Sequence, residues 1–180
     1  MRTTKSVSQI ELLNTDDELL EVVDLRDRIV RLASRKEIHH NNLMHRAVHV
    51  FVFDSAGSLF VQRRSSRKDT HPLKLDSSAA GHVDPGETYL QAALRELYEE
   101  LSIRSCLREA LRLTPSRETG YEHVVLYETF TDARPVINVD EILEGCFMKP
   151  EELSTKMKED MRDFVPAFCR LWTSYRDKKS

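Results

Sequence analysis

The chain has 180 residues, enough for one domain with its own hydrophobic core and short for two. Its 27 Lys and Arg against 30 Asp and Glu leave a net charge of −3, which gives no bulk attraction to nucleic acid or to an anionic membrane. Cys106, Cys146 and Cys169 are far apart and form no CxxC pair, which argues for free thiols in a reducing compartment over a disulfide framework or a zinc site.

The first segment, 1–18, is polar and expected to be flexible, and 19–180 is expected to form a single domain. No apolar signal core stands at the N-terminus and nowhere do about 18 apolar residues run together, so a cytoplasmic protein without a membrane span is expected. "LLEVVDLRDRIVRLAS" places two β-branched runs around Asp24 to Asp27 and predicts a hairpin, whose edge is a candidate surface for a homodimer. Ser34 with Glu37 three residues on is a capping-box pattern and predicts a short helix from Arg35. "RAVHVFVFDSAGSLFVQRR" gives two strands around Asp54 to Gly57, with His49 taken as an ordinary strand side chain. A polar loop follows from Ser65 to Asp76.

The segment "GHVDPGETYLQAALRELYEELSI", 81–103, predicts a helix over 88–101. At about 100° per residue, Leu90, Ala93, Leu94, Leu97 and Leu101 form a core-facing stripe, with Glu96, Glu99 and Glu100 on the opposite side. Downstream, "IRSCLREALRLTPS" reads as strand or helix and "YEHVVLYETFTD" as strand. "EILEGCFMKPEEL" reads as a strand entering a helix at Pro150, and a last amphipathic helix begins at Pro166. Strands and helices without regular βαβ alternation predict an α+β fold.

Three glutamates on one helical turn repel, and Arg95 at i, i+4 to Glu99 offsets about one of them. Glu87 adds a carboxylate in the lead-in loop. Such a cluster suits Mg²⁺ or Mn²⁺, hard cations that bridge to substrate phosphates, lower the pKa of a bound water and polarise a phosphoryl oxygen. A spare glutamate can then orient or deprotonate that water. The chemistry implied is metal-assisted attack on a small-molecule diphosphate.

The stretch resembles the Nudix box, Gly-x5-Glu-x7-Arg-Glu-U-x-Glu-Glu-x-Gly-U, where U is a bulky aliphatic. Gly81, Glu87, Arg95, Glu96, Glu99 and Glu100 match, Leu97 and Ile103 fill the aliphatic positions, and Ser102 replaces the last glycine. Six matches of one residue type each, at roughly 7% per position, arise by chance about once in 10⁷ starts. The resemblance implies a curved mixed β-sheet between helices, an α/β/α sandwich, here with the N-terminal hairpin as an extension. It implies Glu96, Glu99 and Glu100 as metal ligands with Glu87 assisting, Arg95 as a tether for a glutamate, and Glu141 as a ligand or base. Gly81 opens the box at the substrate side.

Over roughly 19–155 the chain is also similar to the Nudix subgroup near isopentenyl-diphosphate isomerase. That resemblance implies a rival activity, and a metal held by histidines at His45 and His82, with His39 or His40 near a third position and Glu122 at a carboxylate position. His45 and His82 are equally readable as hydrogen-bonding groups in a polar substrate cleft. The isomerase needs a cysteine just before the Gly-His pair; this chain has Ala80 there and no cysteine before Cys106, so hydrolysis of a nucleoside diphosphate linked to another group is the expectation. A third reading is a binding module without turnover, against which the intact glutamate set speaks. Arg63, Arg64, Arg67 and Lys68 cluster upstream of the box; strand alternation sends Arg63 and Arg64 to opposite faces, one of them toward substrate phosphate, with Lys68 beside it.

Overall fold

A computed structural model describes residues 18–179 of the chain; the expectation of a flexible segment over 1–18 therefore falls almost wholly outside the described residues. The hairpin forms as expected from β1 (Leu19–Val23) and β2 (Ile29–Ser34), paired antiparallel as a separate two-stranded sheet. Helix α1 (Arg35–Asn41) follows, and Ser34 caps it by accepting from the backbone N–H of Glu37. Leu20, Val22, Ala33 and Ile38 bury a small core beneath this unit.

The main sheet has seven strands. β3 (His45–Phe53) and β4 (Leu59–Arg64) flank the Asp54–Gly57 turn, where the Asp54 carboxylate accepts from Ser58 N at 2.7 Å and Gly57 takes φ 78°. Past that turn the two strands separate. β3 pairs antiparallel with β6 (Ala79–His82) and parallel with β8 (Glu122–Phe130), while β4 pairs with β5 (Leu75–Asp76) and β9 (Ile142–Met148). β7 (Arg108–Leu113) closes the far edge against β8, so the segment readable as strand or helix is a strand.

β3 is buried on both faces, which its near-continuous apolar run requires. Val48, Val50 and Val52 pack on helix α2 (Tyr89–Leu101), together with Ala92, Ala93, Leu97 and Leu101. Phe51 and Phe53 pack on the other face with Phe168, Leu171 and Trp172 of α4 (Pro166–Lys179) and Leu153 of α3 (Pro150–Glu159). The architecture is the expected α+β sandwich of a mixed sheet between helices. No helix among the described residues is long and apolar enough to cross a membrane.

The separation of β3 from β4 positions the site. β6, three small residues ending in His82, fills the gap beside β3, and residues of β3, β4, β6 and α2 line a cleft of about 570 Å³.

Candidate active site

Helix α2 begins with a full capping box, in which Thr88 and Gln91 each bond the other's backbone N–H. It ends at Ser102 in the left-handed conformation, φ 55°, so serine keeps the turn for which the box pattern uses glycine. The helix is rotated relative to the predicted stripe. Leu90 and Leu94 are 42% and 41% exposed, whereas Ala92 and Glu100 are buried. The cause lies on β6. A Cβ on Gly81 would stand 2.1 Å from Glu96 Oε1, so the missing side chain admits Glu96 against the strand. Glu100 is 2% exposed, and its Oε2 accepts from Gln62 Nε2 at 2.9 Å and from Ala80 N at 3.2 Å. These partners allow the acidic side of the helix to turn inward.

Arg95 organises the carboxylates. Its Nε and Nη2 grip Glu87 at 3.0 and 2.9 Å, and its Nη1 reaches Glu96 at 2.6 Å and Glu99 at 3.3 Å. Nη2 also donates to the His82 carbonyl at 3.0 Å, fixing the helix to β6. Glu87, expected to assist at a metal, has both oxygens committed to Arg95 and also accepts from Asp84 N; its placement is that of a clamp on the arginine. Glu96, Glu99 and Glu100 line the cleft.

Across from them stand the cations. Lys68 Nζ contacts Glu141 and lies 3.8 Å from Glu100 Oε1. Arg64 lines the cleft, held by Asp76 Oδ2 at 3.0 Å and the Thr70 carbonyl at 3.2 Å. Arg63 is turned away: it bonds Asp163 at 3.0 Å, Glu144 at 3.2 Å and the Leu73 carbonyl at 2.7 Å on the opposite face. Of the two arginines Arg64 lines the cleft and Arg63 does not.

Burial pushes the Glu100 carboxyl up to about 7 despite Lys68, and raises Glu96 as well, against Arg95. Burial lowers the Lys68 ammonium in turn, opposed by Glu100. Three crowded carboxylates, two of them desolvated beyond what Lys68 and Arg95 offset, fit a divalent cation with oxygen ligands.

A second cluster adjoins the first. The rings of His39, His45 and His82 stand 5.1–5.3 Å apart, and one nitrogen from each lies within 4.8 Å of the others. His45 Nδ1 is tied to the Leu43 carbonyl at 2.9 Å. Among the described residues the buried Nε2 atoms of His39 and His45 find no hydrogen-bond partner. The parallel register of β3 and β8 sets Glu122 opposite His45, 3.4 Å from His45 Nε2 and 3.7 Å from His82 Nε2. Burial would lower His82, but Glu122 and Glu18 raise it to about 9. Burial and its two neighbouring imidazoles drop His39 to about 4. His40 is exposed and takes no part, which settles the choice between His39 and His40.

Sequence reasoning missed His49, Asp76 and Ser77. His49 is a wall of the cleft and not an ordinary strand side chain. The signal available was a histidine interrupting the run from Ala47 to Phe53, whose other positions are apolar core.

The NUDIX domain model matches residues 43–168, which contain the acidic helix, both cleft cations and Glu141. The chain belongs to the Nudix family. An uncharacterised Nudix hydrolase of Yersinia pestis is 32% identical over 163 residues, covering 90% of this chain and 89% of that protein. A Deinococcus radiodurans protein of known crystal structure is similar at 31% identity and a TM-score of 0.71, covering 79% of this chain and 90% of its own. The MutT protein of Methanosarcina mazei, at 19% identity and a TM-score of 0.63, shares the fold. As a Nudix hydrolase the chain is a pyrophosphohydrolase, and its acidic helix is the family's box. Glu18 and His39 of the imidazole cluster come from outside the matched span.

Proposed function

We propose that this Nudix enzyme hydrolyses a nucleoside diphosphate linked to another group, or a related organic pyrophosphate, by attack of water on phosphorus with Mg²⁺ or Mn²⁺. The observation that carries this reading is the inward turn of α2, which sets Glu96, Glu99 and Glu100 in one cleft facing Arg64 and Lys68. Glu96, Glu99 and Glu100 would hold the ion, which when bound polarises a phosphoryl oxygen and acidifies a water. Arg64, fixed by Asp76 and the Thr70 carbonyl, presents its guanidinium to phosphate oxygens. Lys68 neutralises Glu100 and Glu141 in the free enzyme and is placed to transfer its charge to the substrate's phosphate. Glu141, with its side chain 38% accessible and not tied to Arg95 as Glu96 and Glu99 are, is the carboxylate placed to accept the proton of the attacking water. Arg95 holds Glu96 and Glu99 and does not line the cleft.

The imidazole cluster supports a second cation of softer preference, iron or zinc, whose binding would displace the proton that Glu122 and Glu18 favour on His82. Elemental analysis of the purified protein before and after His82→Asn reads that directly. The hairpin edge, with Ile29 and Val30 exposed, is the surface proposed for pairing with a second copy, checked by light scattering. Ala80 gives the cleft a methyl at the isomerase's cysteine position, which supports hydrolysis. The test is a panel of nucleotides and organic diphosphates with Mg²⁺ or Mn²⁺ in ¹⁸O-water, run beside Glu99→Gln. Label in a phosphate product, lost in the variant, is expected; cleavage of nothing in the panel overturns the reading.

A further inference from the structure

His49 stands on β3 opposite Ala80 of β6, as Ala47 stands opposite His82. Its neighbours at i ± 2 share its side of the sheet, so the ring projects with Ala47 toward the cleft that it lines. The opposing Ala80 brings only a methyl to this side of the ring. The residue is 4% exposed.

One end of the ring is tied. Nδ1 lies 2.7 Å from Ser77 Oγ, and Asp76 Oδ1 is 3.8 Å from the same nitrogen. Asp76 is fully buried and engaged, accepting from Ser77 N at 2.8 Å and from Arg64 Nη1 at 3.0 Å. A fixed carboxylate beside Nδ1 favours the tautomer with its proton there, donated toward Ser77. Nε2 is then a bare lone pair. Among the described residues nothing bonds it, and it is not one of the buried atoms lacking a partner, so it opens into the cleft. Burial also lowers the proton affinity of this imidazole, against Asp76, which keeps the ring neutral.

A neutral lone pair repels phosphate oxygens, whose place is at Arg64 and Lys68. It accepts a hydrogen bond from a hydroxyl or N–H instead. If hydrocarbon covers it, the nitrogen loses its water and gains nothing. We infer that His49 is a specificity-determining residue: it selects diphosphates whose attached group presents a hydroxyl or N–H donor and rejects those that carry hydrocarbon alone. The inference rests on the pyrophosphohydrolase reading and narrows its substrate class.

The experiment compares ADP-ribose with isopentenyl diphosphate in Mg²⁺, by kcat and KM and by calorimetric Kd, for the wild type, His49→Phe and Ser77→Ala. A buried acceptor left without its donor shifts the ratio by about tenfold or more. The wild type is expected to favour ADP-ribose by at least that factor. His49→Phe collapses the preference through KM and Kd, and Ser77→Ala moves it the same way by less. A wild type without this preference overturns the inference. So does a ratio unchanged in folded His49→Phe, or an equal loss for both probes, which marks a structural role. If His49→Phe shows no cooperative melt, Ser77→Ala decides by the same criteria. A wild type that cleaves nothing in the wider panel but whose Kd ratio for the two probes moves with His49 defeats the hydrolytic reading and keeps this one; turnover with a ratio indifferent to His49 does the reverse.

Discussion

Glu100→Gln removes a charge from the cleft with little change of shape, and its effects on stability and on function are expected to have opposite signs. The carboxylate is 2% exposed, and both donors at 2.9 and 3.2 Å go to one oxygen. A glutamine that puts its amide oxygen there keeps both bonds. Burial has raised the acid from its ordinary 4.5 to about 7, with Lys68 partly opposing it. An acid raised on folding contributes stability that is complete below its unfolded value near 4.5 and is lost as pH rises through about 7. Above that pH the ionised group is a net cost. At about 1.4 kcal/mol for each tenfold in proton affinity, that cost is on the order of 3 kcal/mol at pH 8. That figure already includes the favourable pairing with Lys68, and the variant leaves Lys68 half-buried with one counter-charge fewer, so a gain of roughly 1–3 kcal/mol, or about 2–10 °C in Tm, is expected for the variant in chelator. Melts at pH 5 and pH 8 measure it. The variant melts higher at pH 8 and the gap closes toward pH 5, whereas added Mg²⁺ stabilises the wild type more than the variant. Hydrolysis by the variant is expected to fall by about a hundredfold or more, since a proposed metal ligand is lost where even an outer support of a metal is worth ten- to a hundredfold. A variant no more stable at pH 8, or a gap indifferent to pH, refutes the burial argument.

Gly81→Ala forces the Glu96 carboxylate off the strand, because the new methyl meets Oε1 at 2.1 Å while Arg95 pins it at 2.6 Å from the other side. Calorimetry is expected to show Mg²⁺ affinity down by about tenfold or more, with a Tm loss small by comparison. Ser102→Gly relieves the left-handed φ of 55° at the end of α2 and raises stability by about 0.5–1 kcal/mol in denaturant melts, without altering hydrolysis. Arg64→Ala raises the KM for a diphosphate substrate by about tenfold or more, while Arg63→Ala, on the far face, leaves it unchanged; the reverse pattern would put the phosphate on the wrong side of β4.

The elements that could be read from the chain are those whose burial is local. The hairpin, α1, β3, β4, β9, α3 and α4 each announce themselves by alternation, a cap or a proline at a first turn, and each forms where expected. Strand β6 does not. "AAGH" has little β-propensity, and it is a strand because β3 leaves an edge open once β4 diverges toward β9. The same long-range cause hid the contacts of half the site from periodicity, although the family resemblance names His45 and Glu122. Glu122 meets His45 through a parallel register across 77 positions, and Asp76 meets Arg64 and His49 through loop closure. Neither pairing leaves a periodic trace.

The rotation of α2 is the most instructive departure. Counting leucines placed the buried stripe through Leu90 and Leu94, as a surface helix would require. The structure gives up those two apolar contacts and buries Glu96 and Glu100 instead, an exchange unfavourable on transfer energies alone. It holds because each inward carboxylate finds something fixed: Gly81's empty space, Ala80's N–H, the Gln62 amide, the Arg95 fork. The wheel counted side chains on the helix and could not see what the strand beneath it lacked. A glycine eight residues before the first residue of the helix, at a position without a turn requirement, was the trace of that strand in the sequence.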